Sequence, residues 1–330
     1  MRAVIRAVRS DDQGVASTVG TTMALLVFLT FLSLIVNQYV PAWMKESEAS
    51  HTNQVIGQFG SLKGAIDLQI LSAASAANAG RDYIPVTATN AVGLGVDGVP
   101  IFASPTPATM TAFPGNGPFT VVFDYNIQGV RTRVSELSNG SIDIDVQNRY
   151  YLAQRVSYEN GAVIRYQGDG QVIRGAPIFS ARNVNNALDL SFGLVTLYGG
   201  GTVTGTNTEV INSQLFALDT QSYVNFPSNA VIWINHTSRY GLAWYQFLNE
   251  TLASALKLGG TFTKTAFDLT FTAKIGATTI YIVSSSYNPT NQMYTMRLEI
   301  RYNAGILTIS KFQLVHAHVQ VKVGESSQRP

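Results

Sequence analysis

The strongest constraint on this chain is a run from Gly14 to Trp43 that contains no Asp, Glu, Lys or Arg. Within it, residues 15–36 (VASTVGTTMALLVFLTFLSLIV) are almost wholly apolar or small. At about 1.5 Å per residue they make a helix about 33 Å long, enough to cross the hydrocarbon core of a bilayer. Arg2, Arg6 and Arg9 precede the run, whereas Lys45 beyond it is accompanied by Glu46 and Glu48. By the positive-inside rule the N-terminus stays cytoplasmic and the remainder is extracellular. A cleaved secretory signal is the rival reading, but its apolar region usually spans only about 7–15 residues. The expectation is a single-pass membrane protein with a cytoplasmic leader over 1–14.

Helical patterning continues past the apolar run. Val55, Phe59, Leu62, Ile66 and Ile70 recur every three or four residues, with Gln54, Gln58, Lys63 and Asp67 on other faces. This spacing predicts an amphipathic helix whose apolar stripe packs against its own head. Pro41, lacking an N–H and crowding the preceding turn, predicts a kink between the two parts. The small-residue run 72–80 ends the helix, with Gly80 at the position that favours a left-handed backbone. Transmembrane and amphipathic helix together occupy 15–80.

Beyond it the pattern changes to strands. Residues 81–118 carry Pro85, Pro100, Pro105, Pro107, Pro114 and Pro118 and read as a connecting region without regular elements. From 119 to 323 short runs rich in Thr, Val and Tyr predict a mainly β head, an antiparallel sandwich or strongly curled sheet, followed by a polar tail over 324–330. Strands are expected at 119–126, 187–197, 201–212, 230–234, 266–275, 279–284, 293–302 and 305–323. Asn160-Gly161 and Asp169-Gly170 favour the positive φ of two-residue hairpins, making 150–174 a small meander. In residues 267–272 the odd positions are apolar and the even ones polar, which predicts one buried and one wet face. One helix interrupts: 240–258 places Tyr245, Leu248, Leu252 and Ala255 on one face, and Gly259-Gly260 stops it.

The chemistry-bearing residues form no catalytic grouping. The net charge is +2 and charged residues are 13% of the chain, too little for a nucleic-acid footprint. The absence of Cys excludes disulfides, thiolate metal sites and Cys nucleophiles. His316 and His318 share a strand face, yet two ligands do not complete a metal site. Asp143 and Asp145 also share a face and read as solvated carboxylates rather than calcium ligands. Gly199-Gly200-Gly201 lacks the Lys-Ser of a phosphate loop and reads as a turn or bulge. Asn139, Asn235 and Asn249 begin Asn-x-Ser/Thr acceptor sequences, which identify them as glycosylation candidates if the head is extracellular. No cofactor is implied, and the chain reads as a non-enzymatic protein whose partners are membrane lipid and other subunits.

Four stretches carry a family resemblance: the basic start with Arg2, Arg6 and Arg9; the Asp11-Asp12-Gln13-Gly14-Val15 junction; Val19-Gly20-Thr21 at the head of the apolar helix; and residues 148–177 (NRYYLAQRVSYENGAVIRYQGDGQVIRGAP). On these the chain resembles archaeal type IV pilin-like surface proteins. The resemblance implies a class III (prepilin-type) signal, cut between Gly14 and Val15 by a prepilin peptidase. It also implies handling by pilus assembly machinery and packing into a surface filament through a helix bundle of Val15, Val19, Met23, Leu26, Phe28, Leu32 and Ile35. Where archaeal leaders usually carry a basic residue before the cut, this chain has Asp11, Asp12 and Gln13. The alternative expectation is a permanently anchored single-span adhesin or envelope protein.

Overall fold

In a computed structural model the described residues are 2–168 and 170–324, with side chains from Ala16 onward except at 169. Asp169 and most of the expected polar tail therefore lie outside the described residues. The chain begins with helix α1 (Arg2–Leu34), passes through a five-residue π-helical turn (Ile35–Tyr39) and continues as α2 (Val40–Asn78). Where a kink is expected, the structure has this π turn inside a helix that runs on from Ala16 to Asn78. Pro41 cannot donate to Asn37 and its ring crowds that carbonyl, so the helix widens by a residue before it and resumes with Pro41 in its first turn. At the far end Gly80 adopts φ +64°. Arg81 N–H then reaches Ala76 O and Gly80 N–H reaches Ala77 O, a pair of bonds that closes the last turn as expected.

The head contains two sheets. Among the described residues the first has ten strands, ordered β1 (Ala88–Gly93), β11 (Thr208–Tyr223), β17 (Thr308–Val323), β10 (Ala187–Gly205), β2 (Ala108–Phe113), β5 (Ser141–Val146), β6 (Gln154–Glu159), β7 (Ala162–Gln167) and β8 (Gly170–Gly175), with β9 (Phe179–Val184) pairing β10 off this path. The second has seven: β13 (Gly260–Lys264), β14 (Asp268–Ile275), β15 (Thr278–Asn288), β16 (Met293–Arg301), β12 (Val231–Ser238), β3 (Phe119–Ile127) and β4 (Val130–Ser138). Helix α3 (Gly241–Leu256) buries Tyr245, Leu248, Leu252 and Leu256 in the core it shares with the second sheet, and Lys257 ends it in the left-handed region. The fold is mainly β with one long N-terminal helix.

Two cores lie on opposite faces of the first sheet. In β10, Leu188, Leu190, Phe192 and Leu194 enter the core shared with the second sheet and α3. Val195 and Leu197 then enter the core beneath α2. Side chains alternate along a strand, so this change from even to odd apolar positions moves burial from one face to the other. Strand β17 repeats the arrangement: Phe312 and Leu314 join the first core, and Ala317, Val319 and Val321 the second.

Four sequence expectations are corrected here. The sheets are not purely antiparallel, because β10 and β17 run parallel from Ala187↔Thr308 to Gly200↔Lys322. Between β11 and β17 the chain builds the strands from β12 to β16, so β17 returns to lie between β10 and β11. Residues 201–212 are not one strand; they are the end of β10 and the start of β11. The segment 81–118 is not featureless, since it supplies β1 and β2. Its prolines stand outside both strands, with Pro107 just before β2 and Pro114 just after it, where no ladder N–H is needed. Phe267 precedes β14 and is half exposed, so the alternation read over 267–272 does not bury it.

Candidate functional site

The segment that most distinguishes this molecule is the apolar stem. Residues 16–39 make no packing contact that buries them, and Met23 and Phe28 are 64% and 61% exposed. Val19, Leu26 and Ile35 are exposed likewise, and Leu32 is half-buried. The Gly14–Val15 junction lies in the helical backbone of α1, and its side chains are outside the described residues. Polar groups in the stem are turned back on their own helix: Thr22 Oγ1 donates to Thr18 O (2.9 Å), Thr30 Oγ1 to Val27 O (2.7 Å) and Asn37 Nδ2 to Ser33 O (2.9 Å). Such internal bonding suits a surrounding that offers no hydrogen-bond partners. At the end of the apolar run Tyr39 and Trp43 stand exposed with ring centroids 6.0 Å apart; amphipathic rings of this kind are enriched at membrane interfaces. The described helix from Ala16 is long and apolar enough to cross a membrane.

Burial begins at Val40 and Met44, and from there polar side chains as well as apolar ones fix α2 to the head. The expected stripe of Val55, Phe59, Leu62, Ile66 and Ile70 is buried throughout against the first sheet. Glu48 is fully buried on the same stripe. Its carboxylate accepts Thr106 Oγ1–H (2.7 Å) and the backbone N–H groups of Arg149 (3.0 Å), Tyr150 (2.9 Å) and Tyr151 (2.7 Å). Burial pushes its pKa up, but these hydrogen bonds to the ionised form outweigh it and hold the group below 4.5. His51 Nε2 bonds Gly93 O (2.9 Å), and burial lowers its pKa, so the neutral ring donates there. Gln58 accepts Gly93 N–H, while Gln69 accepts Leu215 N–H (2.6 Å) and donates to Ser213 O. These contacts fix α2 to the head, and the stem continues from it through the π turn.

The remaining predicted residues are dispersed. His316 and His318 lie on one strand face as expected, their rings tilted by 31° with centroids 4.2 Å apart. Their nitrogens diverge: His316 Nδ1 meets Glu136 Oε2 (3.4 Å) and His318 Nε2 meets Asp219 Oδ2 (3.5 Å). Burial, then the neighbouring His318, lowers the His316 pKa. Among the described residues no group of three ligands could hold a metal ion. Asp143 is not solvated, contrary to expectation; it is buried and accepts a bond from Ser157, while Asp145 pairs with Arg155. Gly199-Gly200-Gly201 lies inside β10, where its partner passes from β17 to β2. Asn139 follows β4, and Asn235 is half-buried on β12. Asn249, on α3, accepts a bond from Tyr281.

Two centres escaped the sequence reading. Glu48 lies four residues from Met44, on the apolar stripe extended backwards, and that position signals a buried carboxylate. The second joins the sheets: Glu159 Oε1 accepts from His236 Nε2 (2.9 Å), Ser238 Oγ (3.1 Å) and Trp244 Nε1 (2.9 Å), and His236 Nδ1 faces Pro118 O (3.1 Å). Its members come from β6, β12 and α3, and no local pattern links them. No protein family, curated protein or solved structure matches the chain.

Proposed function

We propose that this protein is a membrane-inserted structural subunit of a pilin-like surface filament of the archaeal type IV kind. In this reading the leader is cytoplasmic and the head extracellular. The observation that carries it is the stem: a helix exposed over 16–39 except at half-buried Leu32, internally hydrogen-bonded, collared by Tyr39 and Trp43, and continuous with a helix buried in the folded head. Such a surface needs either lipid or other apolar helices around it. Before assembly, lipid surrounds the stem; in a filament, stems of neighbouring copies replace it, held by van der Waals packing. The leader must be removed first, because Arg2, Arg6, Arg9, Asp11 and Asp12 would otherwise enter that core at a cost helix packing does not return. A second reading, a permanent single-span anchor, draws on Asp11, Asp12 and Gln13 standing where a basic residue would favour cleavage.

The deciding experiment is mass spectrometry of the protein from native membranes and shed surface filaments, with wild type beside Gly14→Val. The filament reading expects wild type to begin at Val15, and the variant to remain uncut, membrane-bound and absent from filaments. A wild type that begins at Met1, or a variant that assembles normally, refutes it in favour of the anchor.

A further inference from the structure

The first sheet carries a polar ladder on the face opposite α2. Strand β5 reads Ser141-Ile142-Asp143-Ile144-Asp145-Val146, with its Ile and Val side chains in the core under α2. Its aspartates consequently point to the other face. Register places Thr109, Asp145, Arg155 and Tyr166 side by side across β2, β5, β6 and β7, with Thr111, Asp143 and Ser157 in the adjoining row. The hairpin between β15 and β16 and the turn between β12 and α3 stand over these rows. They supply Tyr287 and Tyr294, whose ring centroids are 4.7 Å apart, together with Arg239 and Tyr240. Two adjoining cavities of about 270 and 370 Å³ result, sharing Asp145, Arg155 and Arg239. Gln171 fixes the far wall by donating to Arg239 O (2.7 Å) and accepting Ala243 N–H.

One buried group lining the first cavity has unspent hydrogen-bonding capacity. Gln154 is 98% buried, yet its Oε1 has no hydrogen-bond partner, whereas the equally buried Tyr240 hydroxyl is held by Asp143 and Ser157. Leaving such a group unmatched is costly. Nothing in the elements that hold the stem requires this arrangement.

We propose that this cleft binds a neutral saccharide, with pyranose C–H faces against the tyrosine rings and hydroxyls bridging Asp145, Arg155, Arg239 and Gln154. The chemistry excludes the other ligand classes in turn. Two arginines and two aspartates balance, so an anion would meet the carboxylates and a cation the guanidinium groups. A purely apolar ligand would strand the Gln154 oxygen and the Asp145 and Arg239 side chains in a drier cavity. Vicinal hydroxyls both donate and accept, and they match this mixed lining while an aromatic wall takes the apolar face. Burial raises the Asp143 pKa to about 6, so this side chain offers an acceptor above that pH and a donor below it.

The test uses the full chain, produced in a host that adds no glycans and held in lipid nanodiscs free of glycosidic detergent. Saturation-transfer NMR is run with neutral gluco-, manno- and galacto-trisaccharides, with sialyllactose and trigalacturonic acid as charged comparisons. At least one neutral trisaccharide is expected to bind, and Tyr294→Ala and the exposed-site variant Arg239→Ala should each weaken it about tenfold. Thermal unfolding of Arg239→Ala should match wild type, which separates binding from folding. No neutral trisaccharide binding below 10 mM (a threshold of roughly 3 kcal/mol), tighter binding of the acidic sugars, or unchanged binding in Arg239→Ala each overturns the proposal.

Discussion

Replacing Glu48 with Ala tests the claim that a buried carboxylate, rather than apolar contact alone, fixes the stem to the head. The substitution removes the acceptor for four donors, Thr106 Oγ1–H and the N–H groups of Arg149, Tyr150 and Tyr151. A buried donor left unmatched costs about 1–3 kcal/mol. The space vacated by the carboxylate admits water to some of these groups, so we take the low end and expect a loss of about 3–4 kcal/mol. Glu48→Gln keeps one accepting oxygen but turns an amide NH₂ toward other donors, and should lose about 2 kcal/mol. The assay is urea unfolding of the full chain in nanodiscs, followed by tryptophan fluorescence at fixed m-value. The pH dependence has a definite sign. The folded-state pKa is depressed below 4.5, so the carboxylate's stabilisation is complete above about 4.5 and is lost as pH falls through the lower folded value. Wild type and Glu48→Gln should therefore converge in acid. A loss below about 1 kcal/mol for Glu48→Ala at neutral pH, or a gap from Gln that widens on acidification, would refute the reasoning.

Two further outcomes follow from the packing. Phe59→Asp or Leu62→Asp places an unpaired charge in the core beneath α2, where both residues are fully buried; thermal unfolding should register a loss of several kcal/mol, about 3–5. At the glycine triplet, Gly199 has φ +98° and an added Cβ would lie 2.1 Å from Val321 O, whereas at Gly200 the nearest contact is 3.9 Å. Gly199→Ala should therefore cost at least about 2 kcal/mol and Gly200→Ala little, compared side by side by urea midpoint.

What could be read from the residues alone was whatever depends on near neighbours in the chain. The uncharged run 15–36 sets a helix long enough for a bilayer, and the spacing of Val55, Phe59, Leu62, Ile66 and Ile70 identifies the stripe that the structure buries. Asn160 and Gly161, at φ +45° and +79°, make the two-residue hairpin that this pair favours. Gly80 closes α2 for the same local reason. Strand direction was not legible, because apolar and polar residues alternate with period two whether the neighbour runs parallel or antiparallel, and β10 beside β17 shows the parallel case. Strands β1 and β2 were hidden among prolines whose positions relative to a ladder emerge only once partners are known. The partners of Glu48 lie 58 to 103 residues away, and the cleft gathers side chains from β2, β5, β6, β7, the turn before α3 and the β15–β16 hairpin. Hydrogen-bond acceptance, burial and the pKa of a carboxylate are properties of what surrounds it, and for Glu48 and Asp143 those surroundings exist only when distant strands are brought into register.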